Sequence, residues 1–526
     1  MKTNDLPHTR LKNFVFSLIV LTALPGTVRE AVEMPDVISS PNSESTFVAA
    51  QNSHQKLPST EATYTIIASD FANKTLRILA DLPIEDGSLS IGEHHPEPEG
   101  IHWGDFVSDL KVVLADGSEV ETEKVSFNRW RISDGIEAGR FKVSYEVTLG
   151  HDEYDWPPSL AEATYVRSDV IFARTYAILI ASRAVESATI RFDVPASWDV
   201  TTPLPILRSD SRIRFADNRF CTYSTGIMMG LHENENLTVN GIDLEIGVAA
   251  DLPGAMEAMR EPFQMALREA TDLFGGAPAG RYAILAAKKY KGPPNSQAGS
   301  GLGNGMSVLF GRNPADNPGG YWAYTFIHEL MHMWTGGVLR NRNGWTEEWF
   351  SEGFSDYLTM VIAGRTGVPR QSVVLYHLGA MWSGYQTLAG EISMANAGAQ
   401  KSRYYNFIYG GGLHVALLLD IELRKASDGT ITIIDLMQNL YSEFGISQKN
   451  LTTIDIKRVA NSLVDRDLSW IFDDYVTGTG VLSYSLIYPQ LGIVMSTNAA
   501  GRAIFVVDDD APESAVQLRK NTLGLE

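Results

Sequence analysis

Cysteine is almost missing from this chain of 526 residues, in which Cys221 is the only one. No intrachain disulfide can therefore form. Positive charge is also scarce, because 43 Lys and Arg residues stand against 63 Asp and Glu, a formal net charge of −20 at pH 7. A charge of that sign argues against nucleic acid and anionic membrane surfaces as partners.

Long hydrophobic runs are missing near the start of the chain. Residues 14–24 form a mostly apolar run after the basic residues Lys2, Arg10 and Lys12, and the run is too short to span a bilayer comfortably. We therefore predict a signal peptide over residues 1–27, secretion or export to a bacterial periplasm, and no membrane span after signal removal. An uncleaved N-terminal anchor is the alternative.

The remaining chain is too long for one core, which predicts a multidomain α+β protein. Residues 28–60 are polar and are predicted to be a linker. Residues 61–252 contain strand patterns, of which Phe141–Leu149 alternates apolar and polar residues strictly, and predict a β-sandwich-like domain. Helical spacing dominates residues 253–480, and residues 481–526 are too few for a further domain.

Residues 328–332 read His-Glu-Leu-Met-His. Positions i and i+4 of a helix share one face, so His328 and His332 can reach the same metal ion. A catalytic zinc takes three protein ligands and keeps a fourth position for water, and Glu352 would complete the set. Glu329 lies next to the first ligand, where it can accept a proton from that water. The motif thus predicts one zinc ion per chain.

The surroundings of the motif favour this prediction. Apolar residues flank it, as in a helix that crosses a core. A second helix is predicted from about Thr346 to Gly364, and it would carry Glu352 and Asp356, four residues apart, on one face. The alternative is a buried helix whose histidines have ordinary hydrogen-bond partners.

Residues 299–310 are rich in glycine. They have neither the Lys-Ser/Thr ending of a P-loop nor a G-x-G-x-x-G pattern that opens a helix, which argues against phosphate binding. We predict the edge of a substrate cleft, with Gly301, Leu302, Gly303 and Asn304 as substrate-binding residues. A plain surface loop is the alternative.

The pattern His-Glu-x-x-His followed by Trp-x-x-Glu-Gly-Phe-x-x-Tyr resembles gluzincin metallopeptidases, which include thermolysin-like and, more distantly, alanyl-aminopeptidase-like enzymes. The closer resemblance is to the glycyl aminopeptidase family, over roughly residues 62–495. Supporting segments are Val194–Trp198, Tyr409–Gly412 and Phe472–Gly478. The resemblance implies an N-terminal β domain, then a mainly helical thermolysin-like zinc catalytic domain.

The resemblance also implies roles for single residues. It makes His328, His332 and Glu352 the zinc ligands and Glu329 the general base. Tyr409 matches the tyrosine that stabilises the oxyanion, with a core aromatic as the alternative. Asp356 matches the carboxylate that hydrogen-bonds a ligand histidine, with a solvated acid as the alternative.

The chain departs from the family pattern at four points. Gly411 replaces a lysine found two residues after the tyrosine in many relatives, and the spacing from His332 to Glu352 exceeds by one that of alanyl-aminopeptidase-like enzymes. Gly303 takes the place of the glutamate that binds the substrate α-amine, and residues 481–526 form no complete PDZ domain.

These observations predict a secreted zinc-dependent metallopeptidase that cleaves peptides and is aminopeptidase-like. Two alternatives remain open. One is an endopeptidase on the same fold, and the other is a weakly active, metal-containing peptide-binding protein.

Overall fold

The structure is a computed structural model that describes residues 60–526 except 93, 94, 96, 134–137, 157–162, 168, 292–296, 303 and the side chain of Phe220. The predicted signal peptide and the predicted linker up to residue 59 lie outside the described residues, as does Gly303. Within the described part, every helix is too short or too polar to cross a membrane.

The first half of the described chain is mostly β. Its strands are β1 (Glu61–Ile67), β2 (Thr75–Ile84), β3 (Ser88–Ser90), β4 (Val107–Val113), β5 (Glu119–Val120), β6 (Thr122–Ser126), β7 (Arg129–Ile132), β8 (Gly139–Thr148), β9 (Tyr165–Val166), β10 (Val170–Arg174), β11 (Ser187–Asp193), β12 (Asp199–Thr201), β13 (Ile206–Leu207), β14 (Asp210–Ala216) and β15 (Gly226–Gly230). Two short helices interrupt them, α1 (Thr175–Ile178) and α2 (Arg219–Tyr223).

Among the described residues, these strands form three sheets. The largest has the order β13-β14-β11-β1-β2-β8-β4-β5, the second β12-β15-β10-β9, and the third β3-β7-β6. Strand β8 shows why the sheet forms, because Phe141, Val143, Tyr145 and Val147 are buried while the residues between them are more exposed. The alternation predicted from the sequence is the observed one.

A five-stranded sheet begins the second half. Its strands are β16 (Glu233–Val239), β17 (Ile242–Val248), β18 (Arg281–Lys288), β19 (Gln297–Gly301) and β20 (Gly305–Phe310), in the order β16-β17-β18-β20-β19. Strands β17, β18 and β20 run parallel, and β19 is an antiparallel edge strand. The sheet spans the domain boundary predicted at 252/253, because β16 and β17 precede it. The glycine-rich run forms strands β19 and β20.

Helices dominate the rest of the described chain. They are α3 (Ala255–Phe274), α4 (Tyr321–Met331), α5 (Glu348–Thr366), α6 (Gln371–Gln386), α7 (Met394–Gly398), α8 (Lys401–Ala426), α9 (Ile433–Leu440), α10 (Thr453–Leu463), α11 (Ser469–Phe472), α12 (Tyr484–Ile487) and α13 (Glu513–Leu523). A hairpin of β21 (Ile493–Thr497) and β22 (Ala503–Val507) lies before α13. The predicted order, a β-rich part followed by a mainly helical part, is confirmed.

Three consecutive glycines, Gly410, Gly411 and Gly412, lie inside α8. A Cβ atom at Gly412 would lie 2.0 Å from the backbone oxygen of Trp349 on α5, and one at Gly410 would lie 2.1 Å from the backbone oxygen of Met381 on α6. One at Gly411 would lie 2.2 Å from the Met394 sulfur. Glycine costs helix stability, but only glycine lets these helices approach so closely.

A buried group of three charges joins the two halves of the chain. Glu245 on β17 accepts hydrogen bonds from Arg281 on β18 and from Arg214 on β14, the latter at 3.5 Å. Arg214 is 0% exposed and also donates to the carbonyls of Val200 and Leu204. The guanidinium of an N-terminal strand is thus tied to the sheet of the second half.

Candidate metal centre

Two neighbouring helices bring the predicted ligands together. His328 lies in the last turn of α4, His332 directly follows that helix, and Glu352 lies in the second turn of α5. The Nε2 atoms of the histidines and Oε2 of Glu352 form a triangle whose three sides are each 3.2 Å. Ligand atoms around a tetrahedral zinc, with bonds of about 2.0–2.1 Å, lie roughly 3.3 Å apart. The triangle therefore fits a zinc ion.

Hydrogen bonds orient both imidazoles. His328 Nδ1 lies 2.8 Å from Oδ1 of Asp356, and His332 Nδ1 lies 3.0 Å from the carbonyl oxygen of Thr335. A carboxylate and a carbonyl can only accept, so each Nδ1 carries the proton and donates it. In the neutral imidazole, each Nε2 therefore carries the lone pair that a metal ion can bind.

Asp356 is shared by two histidines. Its Oδ2 accepts from His377 Nε2 at 3.1 Å, and the other ring nitrogen of His377 lies 2.7 Å from the hydroxyl of Tyr321. Asp356 is buried, which favours its neutral form, but His377 and His328 outweigh burial and lower the pKa of Asp356. Tyr324 also donates, at 2.9 Å, to the backbone carbonyl of Asp356. The carboxylate is thus held ionised and in place.

The second oxygen of Glu352 has a different partner. Oε1 accepts a hydrogen bond from the ammonium group of Lys401, the first residue of α8. The same ammonium lies 2.9 Å from Oε2 of Glu348, one turn earlier on α5. The two oxygens of Glu352 therefore face opposite partners, a lysine and the two histidines.

Charge coupling sets the ionisation of the ligands. Burial disfavours the charged form of Glu352, but Lys401 and the two histidines outweigh it and lower the pKa of Glu352 well below its usual value. Burial also opposes charge on His328, yet Asp356 and Glu352 raise the pKa of this histidine well above its usual value. The set presents ionised carboxylates to a cation.

Glu329 faces the edge strand β19. A Cβ atom at Gly299 would lie 2.7 Å from Oε1 of Glu329, and one at Gly301 would lie 3.9 Å from its Oε2. The absence of a side chain at Gly299 therefore leaves the space that the Glu329 carboxylate occupies. This places the predicted base between the predicted metal ligands and a sheet edge.

Tyr409 lies beside the ligands. Its ring is nearly parallel to that of His328, with centroids 5.8 Å apart, and it stacks on Tyr405 at 4.0 Å. Burial, the Glu352 carboxylate and Tyr405 raise the pKa of Tyr409 well above its usual value. The hydroxyl is therefore protonated at neutral pH and can donate a hydrogen bond.

The remaining residues that were predicted to bind substrate lie in different environments. Gly301 lies in β19 next to Glu329, whereas Leu302 is 3% exposed within an apolar cluster that includes Phe172 and Leu309. The backbone carbonyl of Asn304 accepts from the amide of Ala283. The buried side chain of Leu302 leaves little surface for a substrate.

Sequence reasoning missed Lys401, His377 and the carbonyl of Thr335. No local pattern marks them, because Lys401 and His377 come from helices that meet the motif only through packing. Thr335, three residues after His332, could have been found from the tight turn that ends near Gly336.

Comparisons with known proteins give one family match and a set of solved structures that share the fold. Residues 102–223 match the Peptidase M61 N-terminal domain. No curated protein sequence matches the chain.

Solved structures share the fold. An aminopeptidase N family protein from Idiomarina loihiensis superimposes with a TM-score of 0.71 at 18% identity, over 86% of this chain and 82% of that chain. An M1 zinc metallopeptidase from Deinococcus radiodurans gives a TM-score of 0.55 at 15% identity, over 80% and 94%. A variant of that enzyme bound to a Tyr-Ser-Ala substrate gives 0.54 at 14%, again over 80% and 94%.

The chain therefore has an aminopeptidase N-like multidomain fold. The predicted resemblance to gluzincin, aminopeptidase-like metallopeptidases is confirmed by the M61-type N-terminal domain and by this fold.

Proposed function

We propose that the protein is an exported, zinc-dependent metallopeptidase that hydrolyses peptide bonds with an activated water and is aminopeptidase-like. The observation that supports it most directly is the 3.2 Å triangle of His328, His332 and Glu352, with the carboxylate of Glu329 next to it in the chain's motif and against strand β19. The fold relatives named above, one of them bound to a tripeptide substrate, support a peptide as the substrate.

A zinc ion held by these three side chains, one ion per chain, would polarise a water molecule and the scissile carbonyl. Glu329 lies on the β19 side of the ligands and is the group that takes the proton from the attacking water. The same carboxyl group then gives the proton to the leaving amine, as a general acid. Gly299 of β19 leaves the space that this carboxylate occupies.

Tyr409 supplies a hydrogen-bond donor beside His328 and Glu352. Its hydroxyl stays protonated at neutral pH, for the reason given above, so it can donate to the oxygen that gains charge during attack. Its ring is fixed by stacking on Tyr405 and against His328. The side chain therefore loses little conformational entropy when its hydroxyl donates a hydrogen bond.

Recognition of a free α-amine needs a carboxylate, because a desolvated unpaired ammonium is costly. Strand β19 carries none, and its continuation has Gly303 at the matching position. Glu347 is already engaged, since it accepts from Thr453 and Asn341. We therefore propose weak discrimination between free and blocked N-termini, and we keep an endopeptidase as the second candidate.

The test combines metal analysis of the purified chain with one peptide, assayed with and without N-acetylation. We expect about one zinc per chain, cleavage of the free peptide, and a preference in kcat/KM for the free amine below ~10³-fold, or about 4 kcal/mol. Comparable cleavage of both peptides would favour the endopeptidase. Zinc without cleavage of either would favour the peptide-binding alternative.

A larger preference would mean that another carboxylate binds the amine, and a chain that binds no divalent metal would refute the proposal. A His332→Ala control excludes zinc that is bound adventitiously elsewhere on the chain. That variant keeps only two ligands, so it should lose both the metal and the cleavage.

A further inference from the structure

The two oxygens of the Glu352 carboxylate have different partners. Oε2 lies 3.2 Å from each ligand imidazole, at His328 and His332. Oε1 instead accepts from the ammonium of Lys401. A carboxylate can bind a metal through one oxygen or through both, so the partner of the second oxygen decides which form is available.

Two carboxylates hold the ammonium group of Lys401 in place. The ammonium lies between two carboxylates of α5, those of Glu352 and Glu348, which are one turn apart on the same face. It also lies 6.0 Å from the ring centroid of Tyr409. The Lys401 side chain is 37% exposed, whereas the two glutamates are 4% and 14% exposed. The charges of Glu352 and Glu348 therefore hold the Lys401 ammonium in this position.

We propose that Lys401 is a positioning residue that holds Oε1 of Glu352, so that this glutamate offers only Oε2 to the metal. The inference rests on the proposed function, because it concerns the same metal site. It makes the coordination of the metal depend on a residue that is not one of the three ligands.

The ammonium of Lys401 restricts rotation of the Glu352 carboxylate. While Oε1 is engaged, the orientation of the carboxylate is fixed and Oε2 is the oxygen that faces the two imidazoles. Without the lysine, Oε1 loses its only close cation in the described part of the chain and is free to rotate toward the metal. A second oxygen from Glu352 would then occupy space that the substrate and the water need.

The test compares Lys401→Met with the wild-type chain after loading with Co²⁺, whose d–d absorption weakens as the coordination number rises. X-ray absorption at the zinc edge counts the ligand atoms independently. We expect the variant to keep one metal ion, to gain about one ligand oxygen, and to lose about 10- to 100-fold in kcat. Lys401→Arg, which keeps a cationic donor, should restore most of the wild-type spectrum.

Lys425→Met is the matched control. Lys425 lies on the same helix, is 40% exposed, and pairs with Glu422 at 2.7 Å, but it lies near the other end of α8. Its variant should give the wild-type spectrum and rate. If Lys401→Met does not fold, Glu348→Gln removes one of the two carboxylates that hold the ammonium, and its spectrum should move in the same direction by a smaller amount.

The two proposals can fail separately. A wild-type chain that takes up no metal, or that cleaves no peptide, refutes the proposed function, and absence of metal uptake also refutes the role of Lys401. A wild-type chain that binds metal and cleaves peptides, together with a Lys401→Met variant of unchanged coordination number, refutes only the role of Lys401.

Discussion

The substitution Gly412→Ala tests how tightly the site depends on the contact between α5 and α8. The added Cβ would lie 2.0 Å from the backbone oxygen of Trp349, whereas ordinary contacts begin near 3.4 Å. The obstacle is backbone, so no side chain can rotate away and the helices must separate by about 1.4 Å. Overpacking of this kind costs about 1–3 kcal/mol, and alanine regains ~1 kcal/mol of helix propensity.

With an overpacking cost at the upper end of that range, we expect a net loss of about 2 kcal/mol, seen as a fall in Tm of roughly 2–4 °C in a chain of this size. The effect on catalysis should be larger. Helix α5 carries Glu352 and α8 carries Tyr409, and a displacement of about 1 Å at a reacting group can cost ~10²-fold in rate.

Thermal unfolding and kcat/KM on one peptide measure both effects. Gly280→Ala is the control, because a Cβ atom there meets no atom within 4 Å and the backbone is not left-handed. An unchanged rate and Tm for Gly412→Ala would show that the two helices are not in this contact in solution, and the argument for the close approach would be refuted.

The other predictions concern single side chains. Glu329→Gln keeps the shape but removes the proton acceptor, so zinc should stay bound while kcat falls by ~10²–10⁴, and a metal-replete variant with normal turnover would exclude the role. Tyr409→Phe should lower kcat ~10²–10³-fold with little change in KM, whereas a change in Tm alone would favour the core-aromatic alternative. His414 is buried between the carbonyl of Gly410 and the hydroxyl of Tyr488, and burial lowers its pKa to about 4. A folded-state pKa below the unfolded value of ~6.5 gives stability that is present above pH 6.5 and is lost as pH falls toward 4, by about 2–3 kcal/mol between pH 7 and 4.5. Urea unfolding at the two pH values should show a smaller difference for His414→Gln.

Local periodicity explains what could be predicted. His328 and His332 are one turn apart and Glu352 follows on the next helix, so the motif alone predicted that these three side chains meet in one place. The helix α5 was expected from about Thr346 to Gly364 and runs from Glu348 to Thr366. The strand alternation at β8 is likewise a property of neighbouring residues.

Tertiary packing explains what could not be predicted. His377 and Lys401 reach the site from α6 and α8, and no spacing relates them to the metal motif. The three glycines before Leu413 do not indicate a helix interior, because glycine is unfavourable within a helix. In the structure they lie inside α8, since contact with α5 and α6 outweighs that preference. The pairing of β17 with β18, which helix α3 separates in the chain, could also not be predicted from the sequence.

The three charges shared by Arg214, Glu245 and Arg281 have a consequence for motion. Swinging the N-terminal part away from the five-stranded sheet would break the contact between Arg214 and Glu245 and expose the apolar cluster that contains Phe172 and Leu309, and exposure of two large apolar side chains costs about 3–6 kcal/mol. At that cost the separated arrangement would be populated by well under 1% of molecules. We therefore expect both halves to tumble and diffuse as a single rigid unit, with substrates entering through movements of loops and not through a hinge at this junction.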